Sequence, residues 1–420
     1  MLRRRFVNIV ANSRGSGSSR IYSLHRLDVS KYLFYPSTAE ARAAAAAAAR
    51  TKKHEGYGPL LPMLPELPAP AASFPAACMA LQKDDRESIR LFALLSRRAG
   101  EGRILCSNIL GDSIVFDADM DCSRCNAAVA AMPVALCGQL GVDPIAVYLA
   151  RPGAAEHDLY LLNSFAFNIP ELDADPSPFG VLRFAGGADS ESPPPSPEPS
   201  RLGGGDWHWE QLPPPPSREE DTCSTVCVAA HAVLDGGRTI CVSTGPRTYY
   251  FDTVERQWRE AAAAGGGGGD TELPFEGGAE YVPGAGLWLG FTAGGGHLCA
   301  IAGLSVAMAD KPPALEHVWV DAKIPPNWKP RKHSLVDLGH GRFCVFKVYA
   351  VLPHPIAGED EYESEDAWIF HPEITVISGV EVITDGGGGE EDGKPQGALS
   401  MVEHRSLCYS SHNNSIECVL

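Results

Sequence analysis

Short apolar or alternating runs, each bounded by Gly, Pro or polar turn residues, recur along most of this chain. The sharpest example is Thr248-Tyr-Tyr-Phe-Asp-Thr-Val-Glu-Arg-Gln-Trp258, which follows Gly237-Arg-Thr-Ile-Cys-Val-Ser-Thr244. Together they predict a buried strand, a tight connection, a second strand ending in Phe-Asp-Thr, a polar turn and a strand begun by Trp.

Four further units follow the same plan. One runs from about Ser73 to Pro133, with strands at 89–95, 102–106, 113–117 and 127–132. The next uses 144–149, 158–162, 179–184 and 207–212. After the reference unit, which begins near Val226, a fourth uses 279–282, 286–291, 297–301 and 317–319. A fifth uses 333–338, 341–346, 374–383 and 398–404. Gly237, Gly286 and Gly341 stand 49 and 55 residues apart, close to a repeat of about 50 residues expected for kelch blades. Gly102 precedes Gly237 by 135, which accommodates two longer units.

A lone four-stranded sheet exposes two apolar faces and two raw edges, whereas a ring of sheets buries the faces and shortens the exposed edges. The pattern therefore predicts an all-β chain: a kelch-like β-propeller of about six blades (five to seven), each a short four-stranded antiparallel sheet. The register glycines suit crowded turns before the inner strands. Trp209, Trp258 and Trp319, each at a strand start, are expected to pack between blades.

Ahead of these units, Phe6–Val10 and Ile21–Leu24 read as strands around a Gly/Ser turn, able to supply a sixth blade alone or by pairing with the chain's end. The Ala run from Ala39 to Arg50 is the best helix candidate. It lacks large apolar residues and so predicts an exposed or marginal excursion rather than a core helix. The division is residues 1–72, with these strands, the Ala-rich excursion and a Pro-rich link, and residues 73–420, the propeller. Disordered insertions are expected near 185–205, 261–270, 356–367 and 385–397.

Composition refines this picture. Gly (43) and Pro (34) of 420 residues exceed the average globular share and punctuate short strands. The net charge of −17 disfavours nucleic acid as a partner. Six of the eight residues from Glu359 to Asp366 are acidic, which reads as a solvated loop. Twelve scattered cysteines, many in apolar strand patterns, suggest a reducing compartment. No apolar run reaches the 18 or so residues needed to span a bilayer, so no membrane is expected. The first 27 residues hold six Arg and no acid. The expected location is cytoplasmic or nuclear, with chloroplast or mitochondrion as the alternative.

The chain resembles a large family of grass proteins whose shared domain has no assigned activity. The resemblance is carried by Arg4–Val10, Tyr22–Asp28, Leu33–Pro36, Gly102–Leu105, Trp207–Trp209 with Leu212–Pro214, Tyr250–Thr253 with Trp258, and Gly286–Trp288. It implies a plant source and a kelch-like or F-box-associated type of propeller, and brings no activity with it. Leu64–Pro68 echoes the opening of an F-box, yet no amphipathic helices follow it.

Candidate chemistry is sparse. Cys122-Ser-Arg-Cys125 could be half a zinc site or a redox pair, but the only later pair, Cys223 with Cys227, is remote. His208 reads as a surface residue, and His25 and His231 as hydrogen-bonded core or rim residues. A copper enzyme of the galactose-oxidase kind would need converging Tyr, His and Cys. Tyr249, Tyr250, Tyr281 and Cys299 are present, with nothing in the sequence to bring them together. Asn413-Asn-Ser415 matches a glycosylation acceptor. No catalytic, cofactor-binding or metal-binding residue is assigned, no cofactor is expected, and the binding residues are left open.

The expectation is a non-catalytic protein-interaction module with an unknown protein partner. One alternative is a ubiquitin-ligation adaptor without its own F-box. Another is an enzyme or carbohydrate-binding propeller, which converging Tyr, His or carboxylates in a central pocket would favour.

Overall fold

The computed structural model describes residues 4–15, 18–52, 75–84, 87–95, 102–108, 110–119, 129–131, 136, 140–141, 144–150, 157–169, 177–184, 207–216, 226–262, 271–306, 312–320, 324–325, 327–352, 373–384, 399–411 and 414–420. Strands dominate them. After β1 (Phe6–Arg14) and β2 (Ser19–Asp28) come two helices, α1 (Val29–Tyr32) and α2 (Thr38–Lys52), and then β3 (Ala77–Asp84).

The remaining strands fall into successive meanders. β4 (Ile89–Leu94), β5 (Arg103–Asn108), β6 (Ser113–Asp117) and β7 (Val129–Ala131) form one antiparallel sheet. β8 (Ile145–Ala150), β9 (His157–Leu162), β10 (Phe179–Phe184) and β11 (Trp207–Gln211) form the next. β12 (Ala230–Leu234), β13 (Thr239–Ser243), β14 (Thr248–Asp252) and β15 (Gln257–Glu260) make a third meander. β16 (Phe275–Val282), β17 (Leu287–Thr292), β18 (Leu298–Ala302) and β19 (Ala314–Trp319) make a fourth. A fifth comprises β20 (Trp328–Gly339), β21 (Arg342–Val351), β22 (Glu373–Thr384) and β23 (Leu399–Ser411).

The last strand, β24 (Asn414–Val419), returns to the beginning of the chain. It pairs antiparallel with β1, giving a sheet in the order β24-β1-β2-β3. Asn8 and Leu420 exchange both backbone hydrogen bonds at 2.9 Å, and the Asn12 amide donates to Glu417 Oε1 at 2.6 Å.

The apolar layers show how the sheets are ordered in space. Each layer joins two meanders that follow one another in the chain. Tyr22 and Leu24 meet Ile104 and Phe116; Leu105 meets Leu161; Phe179 meets Phe251; Tyr250 meets Phe275 and Ile301; Phe291 meets Phe343. The cycle closes where Phe346 and Ile377 pack on Val7, Ile9 and Ile416. Alternation along the strands supplies both faces: in β14, Tyr249 and Phe251 face one layer and Tyr250 the other. A closed cycle of antiparallel meanders packed face to face is a β-propeller.

The strand pattern of the five sequence units is thus recovered. Trp209, Trp258 and Trp319 pack against three different inter-sheet layers. Gly237, Gly286 and Gly341 have φ of 106°, 63° and 73°, and each precedes the second strand of its meander. Gly102 instead lies where a Cβ would come within 2.6 Å of the Asp119 backbone nitrogen.

Two expectations need correction. The stretch from Ser73 does not open the β4–β7 unit, because Ala77–Asp84 is the outer strand of the closing sheet, its exposed positions alternating with half-buried ones. Ala261 is not part of an insertion. It is buried against Leu273 and Phe275, and its N–H donates to Thr248 O at 2.8 Å. The Ala-rich helix forms, started by a Ser37–Glu40 capping pair, and its described side chains are mostly exposed, with Ala41 buried. Residues 185–205, 263–270, 356–367 and 385–397 lie outside the described residues, as do Leu64–Pro68, Cys122, Cys125, Cys223 and Asn413.

The segment leading into α2 is fastened to the fifth meander. Thr38 Oγ1 donates to Glu381 Oε2 at 2.7 Å, Arg342 Nε donates to Glu381 Oε1 at 3.1 Å, and His404 Nε2 lies 3.1 Å from Glu381 Oε2. The Tyr35 backbone N–H donates to His404 Nδ1 at 3.3 Å, which leaves Nε2 as the protonated nitrogen. Burial pushes His404 below the ordinary histidine range, against the pull of Glu381. Burial alone would raise Glu381, but its three hydrogen bonds and the Arg342 charge hold it below the usual carboxylate range.

Candidate functional site

The meanders of the described residues, arranged in a cycle, leave a space where their first strands converge. Between the third and fourth meanders that space is narrowed by direct parallel pairing of β12 with β16, in the register Ala230↔Gly277, His231↔Gly278 and Ala232↔Ala279. Small residues allow this approach. A Cβ on Gly278 would sit 3.0 Å from the His231 ring. A bulge then separates Glu276 from Glu280 in β16 and redirects the end of the strand.

Beyond this pairing lies a cavity of about 510 Å³. Its walls are β8, β12 with the turn after it, the later half of β16 and the end of β20, together with Trp288 of β17 and Arg4 just ahead of β1. Three carboxylates line it: Asp235, Glu280 and Asp337. Three aromatic residues do so as well: Tyr148, Tyr281 and Trp288. Arg4, 3% exposed, and His231 complete the polar set.

The sheet fixes these groups in place. Tyr281 and Trp288 are directly cross-strand, with ring centroids 4.8 Å apart, and Tyr281 is 47% exposed. Tyr148 Oη accepts a hydrogen bond from the Leu94 N–H at 2.7 Å, which locks its ring. Asp235 has a φ of 52° at the turn after β12, and its carboxylate accepts from Thr239 Oγ1 at 3.1 Å. Carboxylates in a cavity with apolar walls concentrate negative potential there. The aromatic faces add a surface suited to cations or to the apolar face of a ligand.

The residues singled out in the sequence are dispersed. Tyr250 and Cys299 share the layer between the third and fourth meanders, whereas Tyr249 faces the preceding layer. Burial pushes Tyr250 above its ordinary range, and its hydroxyl donates to Ser305 O at 3.0 Å. Burial likewise pushes Cys299 up to about 12. Of the copper candidates, Tyr281 alone reaches the cavity. Among the described residues, no group of three or more His, Cys, Asp or Glu is placed to hold a metal ion. His208 is exposed. His25 is hydrogen-bonded, with Nδ1 2.6 Å from Pro75 O and Nε2 2.9 Å from Ser23 Oγ. His231 is the one histidine of those three that lines the cavity.

Asp235, Glu280, Asp337, Tyr148 and Trp288 were not singled out from the sequence as site candidates, and Trp288 entered there only through the family resemblance. One signal was present: each of the three acids stands a few residues ahead of a register glycine (Gly237, Gly286, Gly341).

At the far end of the same strands lies a second polar group. His333 Nε2 is 3.5 Å from Glu276 Oε1. Lys347, 6% exposed, donates to Gly296 O at 2.7 Å and lies 5.4 Å from the Phe291 ring centroid. Burial depresses His333, with Glu276 opposing and Lys347 adding to the shift. Among the described residues, no helix is long and apolar enough to cross a membrane.

Comparison with solved structures finds similarity to several propellers. Kluyveromyces lactis Hsv2 aligns over 94% of this chain and 85% of its own, at 8% identity and a TM-score of 0.32. The β-propeller domain of Myceliophteria thermophila Cps50 (Swd1) aligns over 79% of this chain and 76% of its own, at 11% identity and a TM-score of 0.32. The WD40 domain of SCAP from fission yeast aligns over 80% and 69%, at 7% identity and a TM-score of 0.29. At these scores the fold assignment rests on the sheet order and the closed cycle of apolar layers described above. No curated protein matches the sequence. The model of a family described as a protein of unknown function, DUF1668, matches residues 4–409, and the chain belongs to that family.

Proposed function

We propose that this chain is a six-bladed, non-catalytic propeller that acts as a protein-interaction module. The observation that carries the reading is the cavity at the ring centre, walled largely by four first strands and opening on the face that bears the turns into the second strands. A closed ring holds such a face rigid while its turns vary, which suits recognition of a partner. Turns after β12, β16 and β20 supply exposed residues beside the mouth, among them Asp235, Pro283 and His340.

The test is affinity capture with the tagged full-length protein in moderate salt, alongside a Pro283→Arg, His340→Asp double variant. A protein retained in a fixed ratio by the parent and lost by the variant supports the reading. Retention of no protein overturns it.

The converging Tyr, His and carboxylate side chains favour a second reading, in which the cavity binds a small polar ligand such as a carbohydrate. Native mass spectrometry with neutral oligosaccharides separates the two: a saturable adduct lost in Tyr281→Ala supports the ligand reading, and no adduct removes it.

A further inference from the structure

We propose that the cavity takes up a single basic side chain, arginine or lysine, presented by a protein partner. The proposal rests on the interaction-module reading and names the chemistry its partner must show.

The charge of the walls selects the ligand. Asp235, Glu280 and Asp337 face one permanently cationic lining residue, Arg4, so the described lining carries an excess of two negative charges. Arg4 is buried at the chain's N-terminal entry to the ring, its backbone N–H donating to Leu338 O at 3.2 Å. Asp235 is exposed at the mouth. An incoming anion would meet carboxylates first, whereas a cation is drawn inward. The whole chain, at −17, adds to the same field.

The shape of the walls selects the same ligand by an independent route. Tyr281 and Trp288 form a tilted aromatic pair with an interplanar angle of 49°, and the Tyr281 ring is the accessible member. A guanidinium or ammonium group seated on an aromatic face and beside a carboxylate gains from both interactions. The volume of about 510 Å³ falls within the range of about 300–1,000 Å³ typical of small-ligand pockets. It leaves room for one long side chain with water, not for a folded segment. A neutral sugar would use the aromatic pair and the hydrogen bonds but not the charge excess.

The experiment is calorimetric titration of the full-length protein with blocked glycine pentapeptides carrying one central arginine, lysine or glutamate. The expected result is saturable binding of an arginine or lysine peptide, no binding of the glutamate peptide, and weakening as salt rises. Glu280→Gln, which keeps the side-chain shape, and Tyr281→Ala, at an exposed ring, are each expected to weaken binding about tenfold or more. Glu316→Gln, on the exposed strand β19 away from the cavity, is expected to leave it unchanged. Absence of saturable binding by any basic peptide overturns the proposal. So does affinity unchanged in both cavity variants, or equal binding of the glutamate peptide. A partner captured through the Pro283–His340 face would survive those failures, so the two readings fall separately.

Discussion

Ile416→Ala is the sharpest test of ring closure. Ile416 sits in the last strand, 4% exposed, in the layer shared with Val7, Ile9, Leu27, Phe346 and Ile377. If β24 is truly the first strand of the closing sheet, truncating this side chain leaves a cavity between two meanders whose cores are otherwise complete. Large-to-small changes of this type cost about 2–5 kcal/mol. That is a sizeable share of a total stability of about 5–15 kcal/mol. The assay is urea unfolding followed by tryptophan fluorescence, with Val254→Ala as the control. Val254 is 72% exposed, and its truncation is expected to shift stability by less than about 0.5 kcal/mol. A cycle combining Ile416→Ala with Ile9→Ala, which the β1–β24 register places diagonal to Ile416 in the same apolar layer, is expected to show a coupling of at least about 0.5 kcal/mol. A loss from Ile416→Ala as small as that of the control, with no coupling, would refute the closure of the ring through β24.

Further expectations follow from other parts of the fold. Burial depresses both His404 and His333. As pH falls below about 6.5 the unfolded chain therefore takes up protons first, and stability present above that pH is lost; the melting temperature is expected to be lower at pH 5.5 than at 7.5, with a flatter dependence in His404→Gln. Gly341→Ala combines a left-handed φ of 73° with a Cβ position 2.8 Å from Val382 O, so it is expected to cost more than about 1–2 kcal/mol; Gly286→Ala, with open space around it, is expected to cost less, as chemical denaturation would show. Thr38→Val removes a hydrogen bond to Glu381 and is expected to speed limited proteolysis within α2 without changing the near-ultraviolet spectrum of the ring. Cys106 and Cys344 are buried, which pushes both up to about 12, whereas Cys227 is exposed; native thiol labelling is expected to reach Cys227 long before the other two.

The ring was legible because each meander repeats the same physical problem. A strand such as Thr248–Asp252 must feed two apolar layers at once, so it reads as Tyr-Tyr-Phe rather than as a one-sided alternation, and Trp258 then covers the layer's edge. The closure was only partly legible. Asn414–Val419 contains just Ile416, Cys418 and Val419 as apolar residues, and what defines its role is pairing with residues some four hundred positions away. Ala77–Asp84 was hidden for a different reason: this outer strand mixes half-buried and exposed positions and holds no β-branched or aromatic residue, so it carries little strand signal of its own. The cavity was the least legible feature. Asp235, Glu280 and Asp337 each look like ordinary turn-flanking acids, and only the convergence of four first strands makes them neighbours. Tyr281 drew attention for the wrong chemistry, since its partner is Trp288 across the strand pair and not Cys299.

The most direct test of the account places a photocrosslinking benzoylphenylalanine at position 281, on the cavity wall, or at position 254, on the outer turn between β14 and β15. Each full-length protein is irradiated in cell extract, and the adducts are identified by mass spectrometry. Position 281 is expected to yield a discrete protein adduct whose crosslinked peptide carries an arginine or lysine beside the attachment point, with no such adduct from position 254. Absence of a protein adduct at 281, or the same adducts from both positions, would contradict the proposed binding.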